Sequence, residues 1–209
     1  KGGNSPSRYV SGEEFYPTGG AWFPGVCERG NGVATSKYFA VPSRRGLVAV
    51  PKSGYNPDFL CGVMNSIVGT GVVGMIMPDR YRNPTYVGMI PVPNNVRAGE
   101  VVQIVRAIRT IIRRHSFDEC DVDFVGPPLL ILTEPRSNLA ARIDHYLKIV
   151  KEDSKKLSQL EQSLDELVCA ELNLTDADLE QLRGFSNRPA ISNWALSKES
   201  DVTEIAASI

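Results

Sequence analysis

The apolar positions of the chain change rhythm several times, and each change predicts an element. Residues 37–42 (Lys-Tyr-Phe-Ala-Val-Pro) and 46–51 (Gly-Leu-Val-Ala-Val-Pro) are short runs rich in valine and aromatics. Ser43-Arg44-Arg45 joins them, a spacing that predicts a β-hairpin with both arginines at its tip. A proline ends each run, which suits an edge or terminal position. Beyond Asn56-Pro57 the period lengthens. Phe59, Leu60, Val63, Met64 and Ile67 recur at helical spacing, with Asp58 as the predicted N-cap. Gly69, Gly71 and Gly74 are expected to end that helix or bend the chain beyond it. A polar loop, Asp79-Arg80-Tyr81-Arg82-Asn83, then leads to residues 86–95, read as a short strand closing on Pro91-Val92-Pro93.

The second half is dominated by the helical period. Over 96–115, Val101, Ile104, Val105, Ile108, Ile111 and Ile112 make one apolar face. Arg106, Arg109 and Arg113 make another stripe, with Arg114 beside them. That stripe suits a phosphate backbone and a solvated face equally, and its last arginines suit the negative end of the helix. Leu129 to Thr133 reads as a strand entered through two prolines. From Ser137 the chain turns helical again: Leu139, Ile143, Tyr146, Leu147 and Val150, then Leu157, Leu160, Leu164 and Leu167, a seam suited to helix–helix contact. Thr175-Asp-Ala-Asp178 reads as a capped helix start, with Gly184 as its end. Residues 1–35 read as irregular but rich in aromatics, and the polar stretch from Ser186 as loosely ordered.

Composition adds an asymmetry. The net charge of −1 combines a basic stretch, residues 1–114 with 14 Lys/Arg and 6 Asp/Glu (14 − 6 = +8), and an acidic remainder with 9 and 18 (9 − 18 = −9). A basic first half favours a polyanionic partner. The 209 residues suggest one domain or one plus an appendage. No apolar run is long and uninterrupted enough to span a membrane, and the polar residues 1–20 do not read as a signal peptide. The chain begins with Lys1, read as the mark of a fragment of a longer polypeptide.

Several chemistries find no support. Cys27, Cys61, Cys120 and Cys169 lack ligand-pair spacing, and with only His115 and His145 beside them no zinc site is expected. Widely spaced cysteines fit a reducing, cytoplasmic setting. Gly69-Thr-Gly71-Val-Val-Gly74 satisfies G-x-G-x-x-G, but Pro78 comes too soon for a phosphate-binding helix, so the glycines read as packing or bending positions. Asn56-Pro57-Asp58-Phe59 and Asn83-Pro84-Thr85-Tyr86 approach the base-holding Asn-Pro-Pro-Tyr loop of adenine methyltransferases but lack its second proline. No nucleophile triad has the required spacing, and Asp121 and Asp123 lack the lysine that a nuclease core would place nearby.

Two segments carry a resemblance. Phe59, Leu60, Met64, Asn65 and Ser66, with Ile90-Pro91-x-Pro93 after a loop, resemble the target-recognition domains of bacterial restriction–modification proteins. These are the type I specificity subunits and the N6-adenine DNA methyltransferases with a C-terminal specificity domain. Leu164-Asp-Glu-Leu-Val168, then Thr175-Asp-Ala-Asp178-Leu179, is similar to the "Ile-Asp-x-Ile-Val … Leu-Thr-x-x-Glu" ending of the same domains, with Asp178 where the family has glutamate. Asn173 and Leu174 stand where the family has a turn. The two matches cover roughly residues 36–182 in the expected order, and residues 1–35 match nothing in the pattern. The resemblance implies a recognition domain, a long spacer helix and a helix pair. It also implies S-adenosylmethionine as the parent protein's methyl donor, and a catalytic domain or subunit upstream of Lys1.

The expectation is therefore an α+β fold: a small mixed or antiparallel sheet with packed helices over 1–135, then a helical spacer and helix pair over 136–209. Its expected function is sequence-specific recognition of double-stranded DNA, with no catalytic residue, cofactor or metal in this chain. Arg44, Arg45, Arg80, Tyr81, Arg82 and Asn83 are the candidates for reading base edges, and Lys37 and Lys52 for phosphate. The alternative is a protein-interaction module docking through the leucine seam. An enzyme of another type is a more distant third.

Overall fold

The computed structural model describes residues 19–27, 33–35, 46–51, 55–78, 81–94, 97–118, 124–134, 138–186, 188–189 and 191–208. Among these the fold is α+β, with eight helices and one three-stranded antiparallel sheet. The chain forms two compact units that interleave along the sequence. The first comprises 1–102 and 168–188, the second 103–167 and 189–209. The expected boundary at residue 135 falls inside the second unit.

In the first unit, β1 (Ala21–Pro24) is the central strand, between β2 (Ala34–Thr35) and β3 (Gly46–Ala49). Trp22 faces Ala34 on one side and Val48 on the other. Ala21 and Phe23 alternate inward, the period of two that a half-buried strand requires. Residues 1–35 thus contribute two strands where irregular chain was expected. β3 is the predicted second strand of the hairpin, paired with β1; the predicted first strand, 37–42, lies outside the described residues.

α1 (Pro57–Asn65) opens on Asn56, whose side-chain oxygen accepts from the Asp58 N–H at 2.8 Å. Pro57 takes the first helical position, where its missing N–H costs nothing. The cap is therefore Asn56 and not Asp58. Asp58 instead accepts from the Thr35 hydroxyl at 2.7 Å. One turn on, the Cys61 thiol donates to the Val33 carbonyl at 3.3 Å, and Asn65 binds both backbone groups of Val33. Positions 58, 61 and 65 share one helical face, and that polar stripe fastens β2.

Ser66 ends α1 and starts α2 (Ile67–Ile76). Its extended backbone (φ −64°, ψ 169°) interrupts the helix, its hydroxyl donates to the Val63 carbonyl at 2.7 Å, and the same oxygen accepts from the Gly69 N–H at 3.3 Å. The two helices are bent by 61° at this point. The bend belongs to Ser66; Gly71 and Gly74 serve packing. α7 (Asp176–Phe185) lies against α2 so closely that a Cβ on Gly71 would stand 2.9 Å from the Leu182 side chain, and one on Gly74 would overlap the Phe185 carbonyl oxygen. Thr70 donates to the Ser66 carbonyl at 2.8 Å, so Ser186 donates across to Thr70, also at 2.8 Å. Among the described residues no single helix is long and apolar enough to cross a membrane.

The predicted strand after the polar loop is instead a helical turn, α3 (Pro84–Val87), extended by further turns through Ile90. Asn83 caps it and Pro84 takes its first position, the same Asn-Pro device that opens α1. α4 (Ala98–Arg114) matches the predicted amphipathic helix, with Val101, Val105 and Ile111 buried. The predicted strand over 129–133 is the one-turn helix α5 (Pro128–Ile131), because Pro128 sits at a helix start and its carbonyl accepts from the Leu132 N–H at 2.9 Å.

α6 (Leu139–Glu171) is one continuous 33-residue helix. Asn173 terminates it in the left-handed region (φ 52°), and the Leu174 N–H returns to the Cys169 carbonyl at 3.1 Å. Thr175 and Asp178 then form the predicted capping box of α7. That helix runs through Gly184 to Phe185, one residue past its predicted end. Residues after 190 form α8 (Ile191–Ser208), a helix where loose chain was expected. In the second unit Val202 of α8 joins Leu129, Tyr146 and Val150 in a core flanked by Phe117, Leu132, Ile143 and Trp194.

Candidate nucleic-acid interface

The loop singled out for base contact begins where residue 81 pairs with the chain leaving β1. Tyr81 forms an isolated antiparallel bridge with Val26, and the Arg82 N–H donates to the Gly25 carbonyl at 2.9 Å. Extended backbone sends neighbouring side chains to opposite sides. Tyr81 therefore points outward, 58% exposed, whereas Arg82 points inward, 3% exposed. Arg82 is thus misplaced as a surface base reader, and its position beside the sheet segment is the reason.

The next turns sort residues the same way. Asn83 accepts from the Thr85 N–H at 2.9 Å through its side-chain oxygen, and its own N–H meets the Met77 sulfur at 3.4 Å. Its carboxamide oxygen is committed to the cap, so the amide hydrogens are the part of this exposed side chain suited to an outside acceptor. Val87 and Ile90 are buried and fix the segment, while Tyr86, Met89 and Val92 are exposed. The ridge is aromatic and apolar on its outer side and anchored on its inner side.

Of the other candidates, Lys37, Arg44, Arg45, Lys52 and Arg80 lie outside the described residues. Tyr81 and Asn83 are brought to one exposed segment; Arg82 is not. On α4, Arg106 is exposed and Arg109 and Arg113 are half-buried. In the leucine seam, Leu157, Leu164 and Leu167 are buried and Leu160 is half-buried. Among the described residues no group of His, Cys, Asp and Glu side chains is placed to hold a metal ion.

The second unit contains a polar cluster that the pattern of the sequence did not single out. His115, fully buried at the end of α4, lies 3.0 Å from the Tyr146 hydroxyl through Nδ1 and 2.7 Å from Asp153 through Nε2. Arg114 pairs with the other carboxylate oxygen of Asp153. Burial holds the imidazole below its ordinary pKa, against the pull of Asp153, and burial raises the Tyr146 phenol well above its usual range. The sequence did carry a signal. His115 continues the spacing Ile108–Ile111, and Asp153 falls between Val150 and Leu157 on the apolar stripe of α6, so each is a polar residue at a core position.

No protein-family model matches the chain, and no curated protein matches it.

Proposed function

We propose that this chain recognises a specific sequence in duplex DNA on behalf of an N6-adenine methyltransferase or restriction–methyltransferase of a bacterial defence system, in the cytoplasm. One observation carries the reading. α2 follows directly on the matched Asn65-Ser66 and α7 starts at the matched Thr175-Asp-Ala-Asp178, and these two helices, about a hundred residues apart in the chain, pack together in the first unit through Gly71 and Gly74.

The aromatic ridge belongs to that same unit. In this reading Tyr81 and Tyr86 offer apolar and stacking contact, Asn83 offers amide donors to base-edge acceptors, and Arg44, Arg45 and Arg80 supply charged forks. Lys37 and Lys52 set register on phosphate. Methyl transfer, with its S-adenosylmethionine, belongs to a catalytic domain or subunit outside this chain. The interaction-module alternative draws on the leucine seam, and the burial of Leu157, Leu164 and Leu167 favours the DNA reading over it.

Fluorescence anisotropy with random-sequence duplex DNA across a salt series tests this. Measurable affinity that falls steeply with salt is expected, because phosphate neutralisation releases counterions. Selection of the target site is the next step. Binding that is absent at low salt both for this chain and for the full-length protein would overturn the reading.

A further inference from the structure

The His115 cluster belongs to the second unit and the aromatic ridge to the first, and the DNA-recognition reading does not use the cluster. Its contacts suit a neutral imidazole, the form that burial favours. A carboxylate only accepts, so Nε2 carries hydrogen and donates to Asp153; Nδ1 of the neutral ring then accepts from the Tyr146 hydroxyl. Both ring nitrogens of the neutral imidazole are thereby hydrogen-bonded.

A second proton would enter at Nδ1 and turn that acceptor into a donor. The Tyr146 hydroxyl would have to reverse, and Tyr146 is fully buried with His115 as its hydrogen-bond partner among the described residues. The charge would also join a crowded set: Arg114 on the same helix, Asp153 on α6, and Lys198 and Asp201 on α8, the last two paired at 2.8 Å.

The cluster is covered by α8. Trp194 meets His115 edge-on at 5.2 Å between ring centres, Lys198 stands 5.8 Å over the Phe117 ring, and Val202 is buried in the same core as Tyr146. An imidazolium regains water most directly if Trp194 moves away, and Trp194 moves with α8. We propose that His115, Tyr146 and Asp153 form an acid-sensitive latch that holds α8 on the second unit.

The depressed pKa fixes the sign. The latched state binds fewer protons than the released one. Its stability is fully present above the ordinary imidazole value and is lost as pH falls through the depressed folded value. Between the two, release of α8 rises about tenfold per pH unit.

The test is an NMR titration of His115 in the full chain, run beside amide hydrogen exchange of α8. The expected result is a neutral, Nε2-protonated His115 at pH 7 that titrates below the ordinary imidazole value, with α8 exchange rising beyond its intrinsic pH dependence over the same interval. A charged His115 at pH 7, or α8 exchange that ignores its titration, would overturn the proposal. His115→Gln, whose amide supplies one donor and one acceptor but no titration, is expected to abolish the acid-linked rise. A rise that persists in that variant counts against the latch. If the variant does not fold, the wild-type titration decides alone.

Discussion

Asn65 holds Val33 by both ends of one peptide position: its side-chain oxygen accepts from the Val33 N–H at 3.1 Å, and its amide nitrogen donates to the Val33 carbonyl at 2.8 Å. A side-chain amide thereby takes the place of a neighbouring strand. Asn65→Ala leaves the Val33 N–H without this partner and its carbonyl with the weaker Cys61 thiol donor, and is expected to destabilise the first unit by about 1–3 kcal/mol. Urea unfolding monitored by circular dichroism checks this. Asn65→Asp should also destabilise, because it places a second acceptor against the Val33 carbonyl.

Gly74 and Gly184 make opposite predictions although both lie in helices. A methyl group on Gly74 would overlap the Phe185 backbone, whereas one on Gly184 meets nothing within 4 Å. Gly74→Ala should cost about 1–3 kcal/mol or more through overpacking. Gly184→Ala should stabilise by about 0.5–1 kcal/mol through helix propensity. Thermal denaturation of the pair gives shifts of opposite sign if α2 and α7 pack as described.

The capping box of α7 has its own pH signature. The Thr175 hydroxyl and backbone N–H donate to Asp178 and hold its carboxyl below the usual range. The stabilisation is present above the ordinary carboxylate value and is lost as pH falls through the lowered folded value. Thr175→Ala should return Asp178 toward that ordinary value, as read by carboxyl NMR, and lower the thermal midpoint by a few degrees.

Tyr81→Ala and Tyr86→Ala should each weaken duplex binding by about 1–3 kcal/mol at fixed salt, with little change in folding stability, since both side chains are exposed. Arg82→Ala should act the other way round, lowering the denaturation midpoint because the side chain is buried. Paired anisotropy and melting measurements separate the two classes. Loss of binding in Arg82→Ala at unchanged stability would return that residue to the surface role first expected of it.

Tyr146→Phe keeps the ring that packs edge-on against Phe117 at 5.9 Å and removes only the donor to His115. It should cost about 1–2 kcal/mol at pH 8, where the imidazole is neutral and left without that bond. Denaturant titration at that pH measures it.

The long periodic helices are legible in the sequence because their apolar stripes repeat over many turns: α4 with its isoleucines, α6 with its leucines, and the Thr175 cap of α7. The short elements are not. At 129–133 an apolar run of strand length is set helical by Pro128, a choice that the run itself does not encode. At 84–87 a second Asn-Pro start reads as loop, although the same dipeptide at 56–57 reads as a helix start. The strands of residues 21–24 and 34–35 are too short for alternation to register, and polar groups on α1 hold the second of them. For the candidate interface, composition shows which residue types are present in the 79–83 loop. It does not show that a pairing with Val26 turns Tyr81 outward and Arg82 inward.

The interleaving of the two units sets a rule for exchanging parts of this protein. The chain passes between them at 102–103, 167–168 and 188–189, and the first two passages lie within α4 and α6. A graft of residues 1–102 alone would leave behind α7 and uncover the glycine face of α2. To transplant the first unit intact, residues 168–188 must travel with 1–102, so the unit moves as two cassettes and not as one.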